Sequence, residues 1–288
     1  MKQKRIVTIQ DISCLGKCSL TVALPIISAM GIEAVILPTA VLSTHTGGFQ
    51  NFTFRDLTED IEPIANHWQS LGLTFDAIYT GYLGSFSQLS LMEQFLDHFR
   101  TEDTLVVVDP VMWDHGRLYS GFTPEFPKAM ARLCSKADLI LPNLTEAAFL
   151  LGEEYQESYT EPEIRQLLLR LAELGARHVV LTGVNPDPER TGAMAYSSET
   201  GRFFSYFNEK IPSQFHGTGD IFASVCTGAL TSGLSLEKTL TLAVDYTLAC
   251  IQKTTEDADD RWYGVNFEAC IPQLIAWLQH ANNTQRSK

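Results

Sequence analysis

Short apolar runs of four to six residues alternate with longer stretches of helical spacing along almost the whole chain, and this alternation limits the possible folds more than any other feature. Runs at 5–10, 33–38, 75–80, 104–109, 138–141 and 178–182 read as strands. Between them, 17–30, 55–71, 87–100, 124–134 and 161–174 place apolar residues at helical intervals. Strands separated by helices return in the same direction, so the pattern predicts an α/β fold with a mostly parallel central sheet and helices on both faces. Runs at 192–197 and 202–208, joined by 198–201, predict a hairpin. Three helices are expected after it, at 217–231, 236–253 and near 267–280, followed by a polar tail at 281–288 that should fray. The Gly-, Pro-, Asp- and Asn-rich stretches at 109–121 and 185–192 are expected to be loops inside one domain spanning 1–288.

Charge narrows the partners. The chain carries 34 acidic against 21 basic residues, a formal net charge of -13, which repels nucleic acid and anionic lipid. Any phosphate ligand must then be held locally, by backbone amides, a helix end or a bound cation. The six cysteines, Cys14, Cys18, Cys134, Cys226, Cys250 and Cys270, lack the spacing of a zinc site. They read as reduced core residues of a cytoplasmic protein. The first residues run straight into a strand with no signal-peptide core, and no stretch approaches a membrane span, so no membrane partner is expected.

Several segments carry chemistry beyond packing. Gly217-Thr218-Gly219-Asp220 opens a predicted helix. Its glycines let the backbone approach a ligand closely, and the helix N-terminus favours a phosphate there. Asp220 in the first turn is a carboxylate able to take a proton from an attacking hydroxyl; the plainer reading is an acidic residue complementing the helix dipole. In Pro142-Asn143-Leu144-Thr145-Glu146, Asn143 and Glu146 have the spacing of a capping box. They equally suit a water-mediated magnesium site beside phosphates. Asp109, at the exit of a buried strand, is either a turn residue or a second carboxylate for that metal. Thr80–Ser85 is a glycine-bearing connection in which Tyr82 is available for stacking. Gln10-Asp11 and 43–48, with His45, Thr46 and Gly47, place hydrogen-bonding groups just past apolar runs; His45 alone reads more often as a satisfied structural histidine. No P-loop, nucleophile elbow or HExxH motif occurs. Several of these segments follow strands, where open α/β sheets bind ligands.

Taken in order, TIQD (8–11), STHTGG (43–48), TGYLGS (80–85), DPVM (109–112), GRLY (116–119), PNLTE (142–146) and GTGD (217–220) resemble the pyridoxal kinase branch of the ribokinase-like family. The resemblance spans about residues 6–250. It implies a ribokinase-like fold and an ATP-dependent phosphorylation of the hydroxymethyl group of a B6 vitamer, with Mg²⁺, possible monovalent-cation dependence and a homodimer. It also implies roles: Asp220 as general base, Gly217, Thr218 and Gly219 as anion hole, and Asp109 and Glu146 organising Mg²⁺ and ATP. Asn143 and Thr182 would lie near the nucleotide. Asp11, His45, Thr46, Gly47 and Tyr82 would lie on the vitamer side, with Tyr119 on a closing loop. Asp11 stands where pyridoxal kinases often have Ser, and CLGKCS (14–19) departs from their pattern. Phe215-His216 is similar to the hydroxymethylpyrimidine kinase branch, which typically has Cys in place of Asp220. A kinase of that branch, or a non-catalytic ligand-binding member of the fold, is the alternative.

Overall fold

The computed structural model describes residues 2–114, 117–118, 123–213, 215–257 and 262–286. One nine-stranded sheet runs through it. In chain order its strands are β1 (Arg5–Leu15), β2 (Glu33–Thr44), β3 (Phe54–Asp56), β4 (Ala77–Thr80) and β5 (Leu105–Val108). A two-stranded ribbon, β6 (Trp113–Asp114) and β7 (Arg117–Leu118), stands apart from the sheet. The sheet then continues with β8 (Leu139–Ile140), β9 (His178–Asp187), β10 (Arg190–Ser197) and β11 (Arg202–Glu209). Its spatial order is β11-β10-β9-β8-β5-β4-β1-β2-β3. The six strands from β9 to β2 are parallel, while β3 at one edge and β10-β11 at the other run antiparallel.

The helices are α1 (Leu20–Ala29), α2 (Thr58–Ser70), α3 (Phe86–Phe99), α4 (Phe126–Cys134), α5 (Leu144–Leu150), α6 (Glu161–Ala172), α7 (Thr218–Thr231), α8 (Leu236–Glu256) and α9 (Ile271–Arg286). Alternate strand residues serve opposite faces, as the pleat requires. Ile6, Tyr79, Val107, Leu139 and Val180 pack with α1, α7, α8 and α9. Val7, Ile78, Val106, Ile140 and Val179 pack with α2, α3, α4, α5 and α6. A sheet buried on both faces explains why its strands read as continuous apolar runs.

Three departures from the sequence reading shape the site. First, β1 continues to Leu15 and β2 to Thr44, past the expected ends at 10 and 38, with a register shift between Gln10 and Ile12. Second, the expected loop at 185–192 is mostly strand. Asp187 closes a tight turn by accepting from the Glu189 amide (3.0 Å) and pairing with Arg190 (2.7 Å). Pro186 is tolerated because there β9 pairs with β10 alone. Two arms, β1-β2 and β9-β10, therefore project beyond the carboxyl edge of the sheet. Third, the tail expected to fray is helical to Arg286, because Lys238 Nζ on α8 donates to the Ala281 carbonyl (3.0 Å) and to Thr284 Oγ1 (3.1 Å).

Smaller corrections are local. Residues 55 and 56, expected to open a helix, instead belong to the edge strand β3 (Phe54–Asp56). Cys134, Cys226, Cys250 and Cys270 are buried as expected, but Cys14 is exposed and Cys18 half-buried, because both lie on the projecting arm and its turn. Among the described residues no helix is long and apolar enough to cross a membrane.

Candidate active site

The chain order makes β1 the turning point of the sheet, since it pairs with β2 on one side and β4 on the other. Connections leave in opposite directions there and open a crevice beyond the strand ends. Beside it, a cavity of about 440 Å³ brings together Asp109, Asn143, Glu146, Thr182, Gly217, Thr218, Gly219 and Asp220. These residues come from the end of β5, from the start of α5, from β9, and from the start of α7.

The α7 start is built around Gly217. It has φ +81°, and a Cβ there would stand 1.8 Å from the Lys17 carbonyl oxygen, so only glycine fits. With Gly217 as N-cap, the first-turn amides have no carbonyl four residues earlier and face outward. A Cβ on Gly219 would meet nothing within 4 Å, so its approach to the cavity is open. Asp220 is the third residue of the helix and lines the same cavity, partly exposed. Burial pushes its carboxyl up to about 7, a hydrogen bond from the Ser19 amide opposes the rise, and the charge of Asp11 adds to it.

Ser19 ties two carboxylates together. Its Oγ donates to Asp11 Oδ1 (2.6 Å) while its amide serves Asp220, and it holds a positive φ of 51°, uncommon for a residue with a side chain. Asp11 is buried and also accepts from Ser13 Oγ (2.9 Å); burial raises its carboxyl. Asp109 is buried, and desolvation first, then the charge of Asp220, holds it well above the carboxylate range. Among the described residues lining the cavity, Lys210 is the sole lysine or arginine, against Asp109, Glu146, Glu209 and Asp220.

Glu146 makes the capping box: Asn143 Oδ1 accepts from the Glu146 amide and Glu146 Oε2 from the Asn143 amide, both at 2.9 Å. Its Oε1 accepts from the Met112 amide at 3.3 Å. The carboxylate is therefore both a structural cap and a wall of the cavity. Thr182 bridges to Asn143 and donates its amide to the Pro142 carbonyl (3.0 Å).

Of the residues expected on the vitamer side, His45, Thr46 and Gly47 lie at the end of the β1-β2 arm, whereas Asp11 lies within β1, tied through Ser19 to Asp220, and Tyr82 follows β4. His45 is buried; its Nδ1 accepts from the Gly47 amide (3.1 Å), which leaves Nε2 to donate to the Tyr263 carbonyl (3.0 Å). Both ring nitrogens are thus used inside the protein. Phe49 lies 5.0 Å and His216 4.7 Å from the His45 ring, centroid to centroid. Thr46 is exposed and Gly47 partly exposed. Tyr82 is partly buried, its hydroxyl pushed up by burial and by the charge of Asp11. Tyr119 lies outside the described residues.

Residues 23–261 match the phosphomethylpyrimidine kinase family. The chain belongs to that family. It is 41% identical to a Bacteroides thetaiotaomicron protein provisionally assigned as a phosphomethylpyrimidine kinase and crystallised with pyridoxal, with TM-score 0.90 over 95% of this chain and 96% of that one. The pyridoxal kinase of Lactobacillus plantarum is 33% identical, with TM-score 0.88 over 97% and 99% of the two chains. A pyridoxine/pyridoxal/pyridoxamine kinase of Bordetella avium (strain 197N) is 27% identical over 263 residues, 85% of this chain and 84% of that one. This family member is a kinase of the ribokinase-like fold, and the expected resemblance to the pyridoxal kinases holds.

Sequence reasoning missed Ser19, Lys210 and the Tyr263 segment. Ser19 reaches Asp220 through its backbone amide, which leaves no signal in the sequence. Lys210 and Tyr263 reach the site only through long-range packing. His216 was visible beside the glycine turn, but without a structural role.

Proposed function

We propose that this kinase transfers the γ-phosphoryl group of ATP to the hydroxymethyl oxygen of a B6 vitamer, giving the 5'-phosphate and ADP. The observation that carries the reading is Asp220 next to a left-handed glycine at a helix N-terminus, on one cavity with Asp109 and Glu146. A carboxylate raised to about 7 is a competent base near neutral pH. It takes the hydroxymethyl proton as the oxygen attacks phosphorus. The amides of Thr218 and Gly219 stabilise the charge on the phosphoryl oxygens in transit. The Ser19 amide fixes the carboxylate's direction.

The residues present fit a divalent cation, because four carboxylates, Asp109, Glu146, Glu209 and Asp220, face one cavity lined by a single lysine among the described residues. No cluster of three or more ligating side chains occurs among the described residues, so phosphate oxygens and water must complete the shell, as is usual for magnesium with a nucleotide. Asp109 and Glu146, with Asn143 behind, would hold Mg²⁺, which would neutralise the phosphates. Thr182 would border the nucleotide. Asp11, Tyr82 and the 45–47 loop would border the vitamer.

The relatives of this chain and the pyridoxal bound to the Bacteroides protein support the vitamer as acceptor. The family match keeps hydroxymethylpyrimidine as the second candidate. An ATP-consumption screen with pyridoxal, pyridoxine, pyridoxamine and hydroxymethylpyrimidine separates them. The reading requires the largest kcat/KM for a B6 vitamer. A higher value for hydroxymethylpyrimidine, or no ATP use with any acceptor, overturns it.

A further inference from the structure

His216 stands directly before the glycine turn and lines the nucleotide-side cavity. Its ring also reaches across to the other region. A Cβ on Gly47 would lie 2.4 Å from His216 Cε1, so the ring presses on that backbone. Its centroid is 4.7 Å from that of His45, with the planes tilted by 46°. His45 cannot move aside freely, because Nδ1 holds the Gly47 amide and Nε2 holds the Tyr263 carbonyl. On the far side Gly217 is wedged against the Lys17 carbonyl. A shift of the 45–47 loop must therefore move the His216 ring, and the covalent link passes that movement to the turn at 217–219. The His216 ring is exposed on its remaining side, so a displacement is transmitted through its contacts with Gly47 and His45 alone.

We propose that His216 is a positioning residue that couples occupancy of the acceptor loop to the placement of the phosphate-binding turn. The proposal rests on the reading that residues 45–47 face the vitamer and residues 217–219 face the γ-phosphate. Coupling between two sites is reciprocal, so each ligand must tighten the other by the same factor. The test is calorimetric binding of a non-hydrolysable ATP analogue with Mg²⁺, with and without pyridoxine, to the wild type and to His216→Ala and His216→Phe. In the wild type pyridoxine should tighten the analogue by about 10-fold, within the usual range of such couplings. In His216→Ala the factor should fall to near one, whatever change loss of the cavity-lining ring makes to the affinity for each ligand alone. His216→Phe keeps an aromatic ring on Gly47 and should restore most of the coupling. Equal coupling in the wild type and His216→Ala, or no coupling in the wild type, overturns the proposal. So does loss of binding of either ligand alone in both variants. A wild type that phosphorylates no vitamer overturns the functional reading itself, whereas normal turnover with unchanged coupling in His216→Ala removes only this inference.

Discussion

The cavity proposed for the nucleotide and the arm proposed for the acceptor are built on different principles. The cavity rests on short continuous segments: a glycine turn, a capping box and a strand-end aspartate. The capping box makes its own local hydrogen bonds, and Asp220 is held in addition by the Ser19 amide. The acceptor side is a convergence of side chains from four distant segments, in which His45 joins its own loop to Tyr263 and packs on His216. Rigid local turns suit a phosphate, whose shape is constant. Side-chain packing suits an acceptor whose ring and substituents must be discriminated.

This contrast predicts that changes on the cavity side reduce turnover, while changes on the acceptor side alter selectivity. The largest expected effect is at Asp220. Asp220→Asn keeps size but removes the base, and turnover should fall roughly 10²–10⁴-fold with both substrates still bound; kinetics beside calorimetry check it. Next is Gly219→Ala. The added methyl has open space in the protein, so the melting point should hold, but it intrudes where the phosphoryl group passes. Turnover should fall on the order of 10²–10³-fold, the cost of one disturbed anion-hole donor.

Asp109→Asn should reduce turnover but stabilise the apoprotein. Burial and Asp220 raise the folded pKa of Asp109. A group so raised contributes stability below its unfolded pKa, which is lost as pH rises through the folded value. At pH 8 the variant should melt above the wild type, and the gap should close below about pH 4. A lower melting point at pH 8 would contradict the electrostatic account of the cavity. The smallest effect is expected at Asp11. Asp11→Ser should change the ratio of specificity constants among pyridoxal, pyridoxine and pyridoxamine by a few-fold, about 1 kcal/mol, because a carboxylate favours a cationic ring or amine. Equal change for all three would assign Asp11 to structure alone.

The same contrast governs what the sequence revealed. Periodicity located the parallel strands, because a strand buried on both faces must be apolar throughout. The glycine turn and capping box were legible because their physics lies within four consecutive residues. The extension of β1 to Leu15 was not, since Asp11 and Ser13 look like loop residues until Ser19 returns to hydrogen bond with Asp11. His45 by itself reads as a satisfied structural histidine and by the resemblance as a vitamer contact; both its nitrogens are taken up by the protein. That arrangement depends on Tyr263, 218 positions away in the chain.

The central claim is that Asp220 is the base, and the dependence of kcat/KM on pH tests it most directly. The carboxyl, raised to about 7, must be deprotonated to accept the hydroxymethyl proton. The wild type should therefore lose kcat/KM as pH falls through about 7, and the residual activity of Asp220→Asn should lack that limb. A wild-type profile that is flat across this range, or the same limb persisting in Asp220→Asn, would contradict the account.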